Sequence, residues 1–153
     1  MKKEDLRKTW LIAAVISGAI IGTIFIYALV VEAVSRTMPL KPPLTGPAAA
    51  AVRYAFYIAA AGAVFALKFI RLAMGTNAGT ALETVRGLVK QTIVTAALAE
   101  VPAFLGLMLF FLAGGYWDFY LLAAFSAVME LAYFPKYRTW EEKLRNGCGL
   151  TLE

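Results

Sequence analysis

Four long apolar runs dominate this chain, and they restrict it to very few folds. The runs cover residues 9–31, 54–70, 92–113 and 116–134. A helix needs about 20 apolar residues to cross a hydrocarbon layer of ~30 Å, and backbone groups in lipid must be satisfied within their own segment. The runs therefore predict an all-α polytopic membrane protein, a bundle of four transmembrane helices that forms one membrane domain over residues 1–153.

The overall composition agrees with a lipid environment. Of the 153 residues, 61% are hydrophobic and 16% are charged, whereas about 45–50% of an average soluble domain is apolar. The first run follows a basic N-terminus, as the apolar part of a signal peptide does. The apolar part of a signal peptide is typically about 7–15 residues long. The first run is longer than that, so we expect it to be retained as the first membrane span.

Several classes of site are excluded by residue type. The chain has no histidine and a single cysteine, Cys148, which rules out His-ligated haem, the usual zinc sites and an intrachain disulfide. We expect no metal and no cofactor. The sequence does not indicate an enzyme, since no nucleophile–base pair is visible and "GTNAGT" lacks the lysine of a phosphate-binding loop. The net charge is +5, but no basic face is interleaved with aromatics, so we expect no nucleic-acid partner.

The lysines and arginines collect at one set of run ends. Twelve of the 15 lie before the first run, at the end of the second run or between it and the third, or after the fourth. These are Lys2, Lys3, Arg7, Lys8, Lys68, Arg71, Arg86, Lys90, Lys136, Arg138, Lys143 and Arg145; the other three are Arg36, Lys41 and Arg53. Cytoplasmic loops carry the excess of positive charge. The pattern predicts a multi-pass protein of the cell (inner) membrane with both termini, and the tail 135–153, in the cytoplasm.

Local signals predict the segments around the runs. The proline-rich segment 37–49 is typical of an extended spacer. Thr80 and Glu83 have the spacing of a capping box, which predicts a helix that starts there and continues into the third run. The tail is expected to form a short helix at the membrane surface, with Tyr137 and Trp140 at headgroup level.

Small and aromatic residues give two further expectations. Residues 18–22, "GAIIG", form a GxxxG motif that allows close helix packing, either within the chain or between copies. Tyr116, Trp117, Phe119 and Tyr120 are expected to form an aromatic belt at the outer membrane surface.

One carboxylate lies deep in the third run, in "TAALAEVPAFLGLMLFFLAGG". Glu100 is within about 5 Å of the middle of that run at ~1.5 Å rise per residue. A charged acid at such depth costs roughly 2.5 kcal/mol or more, so Glu100 is expected to be protonated, paired or next to water. It either handles a proton or ion, or it is a neutral group that hydrogen-bonds a neighbouring helix. Pro102 frees a carbonyl near Leu98, which provides a ligand or only a kink.

Other acids are interpreted from their neighbours in sequence. Glu130 lies about one turn inside the end of the fourth run, where Lys136, Arg138 or Lys90 can pair with it; alternatively it is the inner step of a proton route with Glu100. Glu32 and Arg36 have the i, i+4 spacing of a helical ion pair, which Arg53 can join.

The segment "ALAEVPAFLGL", residues 97–107, resembles the second helix of the rotary ATP synthase c subunit and its V-type proteolipid relatives. In that family an ion-carrying carboxylate is followed six residues later by Gly and then by Leu, here Glu100, Gly106 and Leu107. The resemblance extends over the hairpin 54–113, with its loop in the cytoplasm as in the family. The chain departs from the family pattern in its first helix, where Gly62 is the only glycine in the 54–70 run, and in lacking the Arg-Gln-Pro loop.

The resemblance implies that Glu100 takes up and releases a proton, and that Pro102 and Gly106 belong to the same ion-binding segment. A proton is favoured over sodium because the second run offers no Gln or Glu as a further ligand. Two functions therefore stay open. The protein binds or translocates a proton or ion as a small subunit of a larger membrane complex, or it is a non-transporting structural subunit or assembly factor. Its expected partners are the lipid bilayer and other membrane subunits or further copies of itself.

Overall fold

The computed structural model describes residues 3–38, 41–73 and 80–148. Those residues form five helices and no strand, which confirms the predicted all-α class. The helices are α1 (Lys3–Thr37), α2 (Gly46–Ala73), α3 (Ala81–Ala113), α4 (Tyr116–Tyr133) and α5 (Tyr137–Cys148). The predictions for residues 1–2, for the tip of the "GTNAGT" loop and for the last residues of the tail lie outside the described residues.

Three helices are long and apolar enough to cross a membrane. They are α1, α2 and α3, each at least 28 residues long. Helix α4 reaches that standard only together with α5, from which it bends by 42°. The structure therefore provides three candidate spans, or four if α4 and α5 are counted as one.

Helix α3 begins at the predicted capping box. Thr80 has extended backbone angles, φ −124° and ψ 149°. Its hydroxyl accepts a hydrogen bond from the N–H of Glu83 at 3.3 Å and donates one to the Glu83 carboxylate at 2.8 Å. The helix ends at Gly114, whose φ of 67° is readily reached by glycine and whose N–H bonds to the Phe110 carbonyl.

Helix α3 is the centre of the fold, because it packs against each of the other four helices. Three apolar clusters lie along it, one of which, Leu67, Ala99 and Met129, joins α3 to α2 and α4, while the other two mark its ends. The first, at the end near α5, consists of Leu6, Ala13, Val85, Leu88, Trp140 and Leu144. The second, towards the opposite end, consists of Ile24, Val31, Ala103, Phe110, Phe119 and Ala123. We call the end with the first cluster the α5 end. The end with the second cluster lies beside the loop between α1 and α2, which contains Pro42 and Pro43, and we call it the proline-loop end.

Helix α5 covers the first of these clusters. Trp140 and Leu144 are buried against α1 and α3, and the indole N–H of Trp10 donates to the Pro135 carbonyl at 3.1 Å. Trp140 was predicted at headgroup level, but it is 4% exposed. The reason is that α1 and α3 extend beyond their apolar runs and give α5 a protein surface to cover.

The outward faces of the helices are apolar. Many large side chains are more than half exposed: Ile12, Val15, Phe25, Ile26, Leu29, Ile58, Phe65, Phe69, Leu72, Leu121, Val128 and Leu131. Soluble monomers rarely expose contiguous apolar patches of this kind. The surface is compatible with lipid contact.

The glycines differ in their packing. A Cβ atom added to Gly18, Gly22 or Gly62 would meet nothing within 4 Å. A Cβ atom on Gly106 would lie 3.1 Å from the Leu122 Cβ and 3.2 Å from the backbone of Phe119. The close helix contact within this chain is therefore made by α3 and α4 at Gly106, and the GxxxG motif of α1 does not make one among the described residues.

Candidate functional site

The carboxyl group of Glu100 faces α1 and is held by two hydroxyl groups. The Tyr27 hydroxyl donates to Oε1 at 2.8 Å, and the Thr23 Oγ1 lies 2.5 Å from the same oxygen. Thr23 and Tyr27 are four residues apart, which places both on one face of α1. Sequence reasoning identified Glu100 but missed these partners, because the i, i+4 spacing places the two hydroxyl groups on one face of α1 without showing which helix that face meets.

The number of hydrogen bonds that can form around Glu100 depends on whether its carboxyl group is protonated. Thr23 Oγ1 also lies 2.6 Å from the Ile20 carbonyl oxygen, yet a threonine hydroxyl has one hydrogen to donate. If Glu100 is ionised, Thr23 can donate either to Glu100 or to Ile20. If Glu100 is protonated, it donates to Thr23 while Thr23 donates to Ile20. All three of these contacts contain a hydrogen only when Glu100 is protonated.

Glu130 lies inside the bundle and is 3% exposed. The predicted ion pair with Lys136, Arg138 or Lys90 is not formed among the residues that the structure describes. The physical reason is the orientation of α4: its buried positions recur every three or four residues and include Glu130. The side chain therefore points towards the interior of the bundle and away from the surface cations.

A small cavity adjoins Glu130 between α1, α3 and α4. It measures about 10 Å³ and is lined by residues that include Ser17, Thr95 and Ala99. The Glu130 Oε1 and the Ser17 Oγ are both buried without a hydrogen-bond partner in the described part of the chain. A buried water needs about this volume and two or more polar partners, so the cavity suits one water molecule between these two groups.

The structure brings Glu130 and Glu100 to the same region. Ala99, the residue before Glu100, lines the Glu130 cavity. Ser126, one turn before Glu130, donates a 2.5 Å hydrogen bond to the Ala99 carbonyl. Sequence reasoning did not identify Ser126, although it shares the inward face of α4 with Glu130.

Pro102 and Gly106 lie farther along α3 and serve its packing. Pro102 is fully buried, and α3 continues through it as one helix. Gly106 contacts α4, as described above, whereas the Glu100 carboxyl faces α1. The extra hydrogen bond found near the proline is accepted by the Ala99 carbonyl, one residue after the predicted Leu98.

A larger polar cavity opens at the α5 end. It has a volume of about 160 Å³ and is lined by Arg71, Leu88, Gln91, Thr92, Thr95, Ala132, Tyr133, Phe134, Pro135, Lys136, Thr139, Trp140 and Lys143. Thr92, Thr95, Tyr133 and Phe134 also line the Glu130 cavity. A series of polar residues therefore leads from the surface at the α5 end to Glu130.

The proline-loop end carries two separate polar clusters. In the first, Glu32 accepts hydrogen bonds from Arg36, which confirms the predicted i, i+4 pair, and from the hydroxyls of Tyr116 and Tyr120 at 3.0 and 3.2 Å. Tyr116 and Tyr120 were predicted in an aromatic belt, together with Phe119, which is buried, and Trp117, which is exposed.

The second cluster joins α2 to α4. Arg53 pairs with Asp118 at 2.8 Å, and the Tyr57 hydroxyl donates to the same carboxylate at 2.9 Å. Arg53 was predicted to join Glu32 and Arg36. It bonds Asp118 instead, because Arg53 in α2 lies beside the first turn of α4, which contains Asp118.

Comparisons of the chain with protein-family models, with curated proteins and with solved structures found no match. The resemblance of residues 54–113 to the c subunit therefore stays a prediction. Among the described residues, no group of three or more His, Cys, Asp or Glu side chains could hold a metal ion.

Proposed function

We propose that this protein is a multi-pass integral membrane protein that binds a proton at Glu100, as a small subunit of a larger membrane complex. The observation that carries this proposal is the set of short contacts around Glu100, which is complete only when the carboxyl group is protonated. In this proposal α1 to α4 cross the cell (inner) membrane and α5 lies at its cytoplasmic surface, with both termini in the cytoplasm.

The exposed apolar faces and the position of the cations support the membrane arrangement. Lys and Arg residues at the ends of α2 and α4 and along α5 lie at one end of the bundle, as cytoplasmic segments require. The side chains exposed along the middle of the helices are apolar. The outer end carries the Glu32 and Asp118 clusters.

The proposed proton route runs from the α5 end to Glu100. A proton enters the cavity at the α5 end, passes Thr92 and Thr95, and reaches Glu130, from which it is transferred to Glu100. Beyond Glu100, towards the proline-loop end, α1, α3 and α4 are closed by the apolar cluster that contains Phe110 and Phe119. Glu100 itself is half-buried, so a partner subunit can approach it from the side.

A second candidate function is that of a non-transporting structural subunit of a membrane complex, and one observation favours it. The contacts of Glu100 join α1 to α3, and a neutral hydrogen-bonding group alone can serve that purpose. The two candidates differ in what they require of the side chain. Glutamine keeps an oxygen that accepts from Tyr27, but it has no proton to exchange.

Carbodiimide labelling of the protein in its native membrane tests the proposal. A carbodiimide that partitions into lipid modifies protonated, accessible carboxyl groups, and mass spectrometry locates the adduct. We expect an adduct at Glu100, because a proton-binding carboxyl group that is half-buried is reactive and accessible to a reagent in the lipid. Glu100→Gln should abolish the adduct, and Glu130→Gln should leave it in place.

The companion measurement is the activity of the complex with which the protein copurifies. The proton-binding function predicts that Glu100→Gln assembles normally but abolishes the proton-linked activity. An unlabelled Glu100, together with full activity of the Glu100→Gln complex, would show that the residue serves only helix packing.

A further inference from the structure

The cavity at the α5 end is surrounded by positive charge. Arg71 at the end of α2, Lys136 before α5 and Lys143 on α5 all line it, and none of its lining residues is acidic. Three different parts of the chain therefore direct cations at one space. Gln91, Thr92 and Thr139 add neutral hydrogen-bonding groups to the same walls.

These three cations form no ion pair with the residues that the structure describes. In the described part of the chain the ion pairs are Arg36 with Glu32 and Arg53 with Asp118, so no carboxylate neutralises the three residues of the cavity. Burial lowers the pKa of Lys143, and the positive charge of Arg71 lowers it further. An anion in the cavity would remove this repulsion.

The cavity is also held in shape by its neighbours. The Arg71 guanidinium lies over the ring of Tyr133, 4.8 Å from its centre, and the side-chain amide of Gln91 donates to the Arg71 carbonyl at 3.4 Å. The Arg71 side chain is thus positioned before any ligand arrives. The first turn of α5 starts at the edge of the cavity, and the N-terminus of a helix favours negative charge.

We propose that this cavity binds a phosphate group, and that the phosphate belongs to the headgroup of an anionic membrane phospholipid. A guanidinium and two ammonium groups around a space of about 160 Å³ suit a phosphate with its bound water. Basic pockets between helices on the cytoplasmic side of membrane proteins bind such headgroups.

Apolar surface beside the cavity favours the lipid over free phosphate. Phe69 and Leu72 on α2 and Val128 and Leu131 on α4 are each more than half exposed. They lie within about one or two turns of the cavity residues Arg71 and Ala132, where the acyl chains of a bound lipid would run. The lipid source rests on the proposed membrane insertion, whereas the anion site does not depend on the role of Glu100.

Native mass spectrometry of the full chain in a neutral detergent tests the proposal. Dioleoylphosphatidylglycerol is titrated and the bound fraction is counted, with dioleoylphosphatidylcholine as the zwitterionic comparison. We expect the unmodified protein to bind the anionic lipid at least tenfold more tightly. Inorganic phosphate is added in a separate arm as a competitor.

Variants locate the site. Arg71→Gln with Lys143→Gln should weaken phosphatidylglycerol binding by roughly 10- to 30-fold, at about 1 kcal/mol per cation. The matched control is Arg138→Gln with Arg145→Gln, which removes two exposed cations of α5 outside the cavity and should change binding less than about twofold. Lys136→Gln alters a single exposed cation and should cost about fivefold.

Each outcome bears on the proposal. Preference for phosphatidylglycerol that is lost in the cavity variant but kept in the control supports it. Displacement of the lipid by equimolar inorganic phosphate would assign the site to free phosphate and overturn the lipid source. Equal binding of the two lipids by the unmodified protein would overturn the anion site, as would equal losses in the cavity variant and its control. Circular dichroism of each variant establishes whether it is folded. If a variant does not fold, the comparison of the two lipids on the unmodified protein still tests the anion site.

Discussion

The carboxyl group of Glu100 is held by hydrogen bonds to two residues of α1 that are distant from it in the sequence. Its depth in the third apolar run was predictable, because depth follows from counting residues along one helix. Its hydrogen bonds to Thr23 and Tyr27 were not predictable, because they depend on how α1 is rotated against α3. That rotation is decided by the packing of many side chains at once.

For Glu130, the sequence suggested an ion pair that the structure does not contain among its described residues. Its charge and its position near Lys136 and Arg138 suggested an ion pair, and that interpretation is wrong among the described residues. Sequence distance to a cation carries no information about the direction of a side chain. The recurrence of buried positions through Phe119, Ser126 and Glu130 was the better guide.

At this scale we predict a measurable coupling between Tyr27 and Glu100. Tyr27→Phe should lower the stability in detergent by about 0.6 kcal/mol, an average value for a hydrogen bond in a membrane protein. In the background of Glu100→Leu, which has no acceptor, the same change should cost nothing. Thermal unfolding of the single and double variants gives the coupling energy.

Tyr54→Phe is the matched control, since Tyr54 is 68% exposed on α2. It should leave stability unchanged in both backgrounds. A Tyr27→Phe cost that is the same with and without the Glu100 carboxyl would contradict the assigned hydrogen bond.

Among the elements, α3 and α4 pack closely at Gly106. Gly106→Ala would place a methyl group 3.1 to 3.2 Å from Leu122 and from the backbone of Phe119. Helix α4 would have to move, and overpacking of this kind costs typically about 1–3 kcal/mol. We expect a lower unfolding temperature for this variant.

Gly62→Ala provides the comparison on α2, because the added methyl group enters open space. Alanine is the better helix former by about 1 kcal/mol, so this variant should be at least as stable as the parent. Equal effects of the two substitutions in calorimetry would mean that α3 and α4 do not meet at Gly106.

The helices themselves were largely predictable and their ends were partly so. Apolar runs and the Thr80 capping box located four helices and the start of α3. The runs underestimated three helices. Helices α1 and α3 continue into polar sequence where α5 packs on them, and α2 begins at Gly46, inside the segment 37–49 that was predicted to be extended. Burial of Trp140 could not be predicted for the same reason: the surface that it covers consists of residues from two distant segments.

For the whole molecule, the proposed topology makes opposite ends accessible from opposite sides of the membrane. In a variant with Cys148 replaced by serine, a cysteine at Lys41 should react with an impermeant maleimide in intact cells. A cysteine at Glu142 on α5 should react only after the membrane is permeabilised. Both positions are polar and lie outside the apolar runs, so the reagent can reach them once it is on the correct side.

Labelling of both positions from the same side would contradict an odd number of membrane crossings between them. The segment from Lys41 to Glu142 contains α2, α3 and α4. The result would therefore also decide whether α4 crosses the membrane.

The single hydrogen of Thr23 links the charge of Glu100 to the shape of α1. When Glu100 is protonated, Thr23 is free to donate to the Ile20 carbonyl, and threonine bonding back to its own helix bends that helix. If Glu100 gives up a proton, as proposed, the hydroxyl would turn to the carboxylate and the cause of the bend would be removed. Because α1 continues from this point to Thr37, a small change of angle at Thr23 would displace the far end of the helix, so the proposed proton binding would act on α1 as a force acts on a lever.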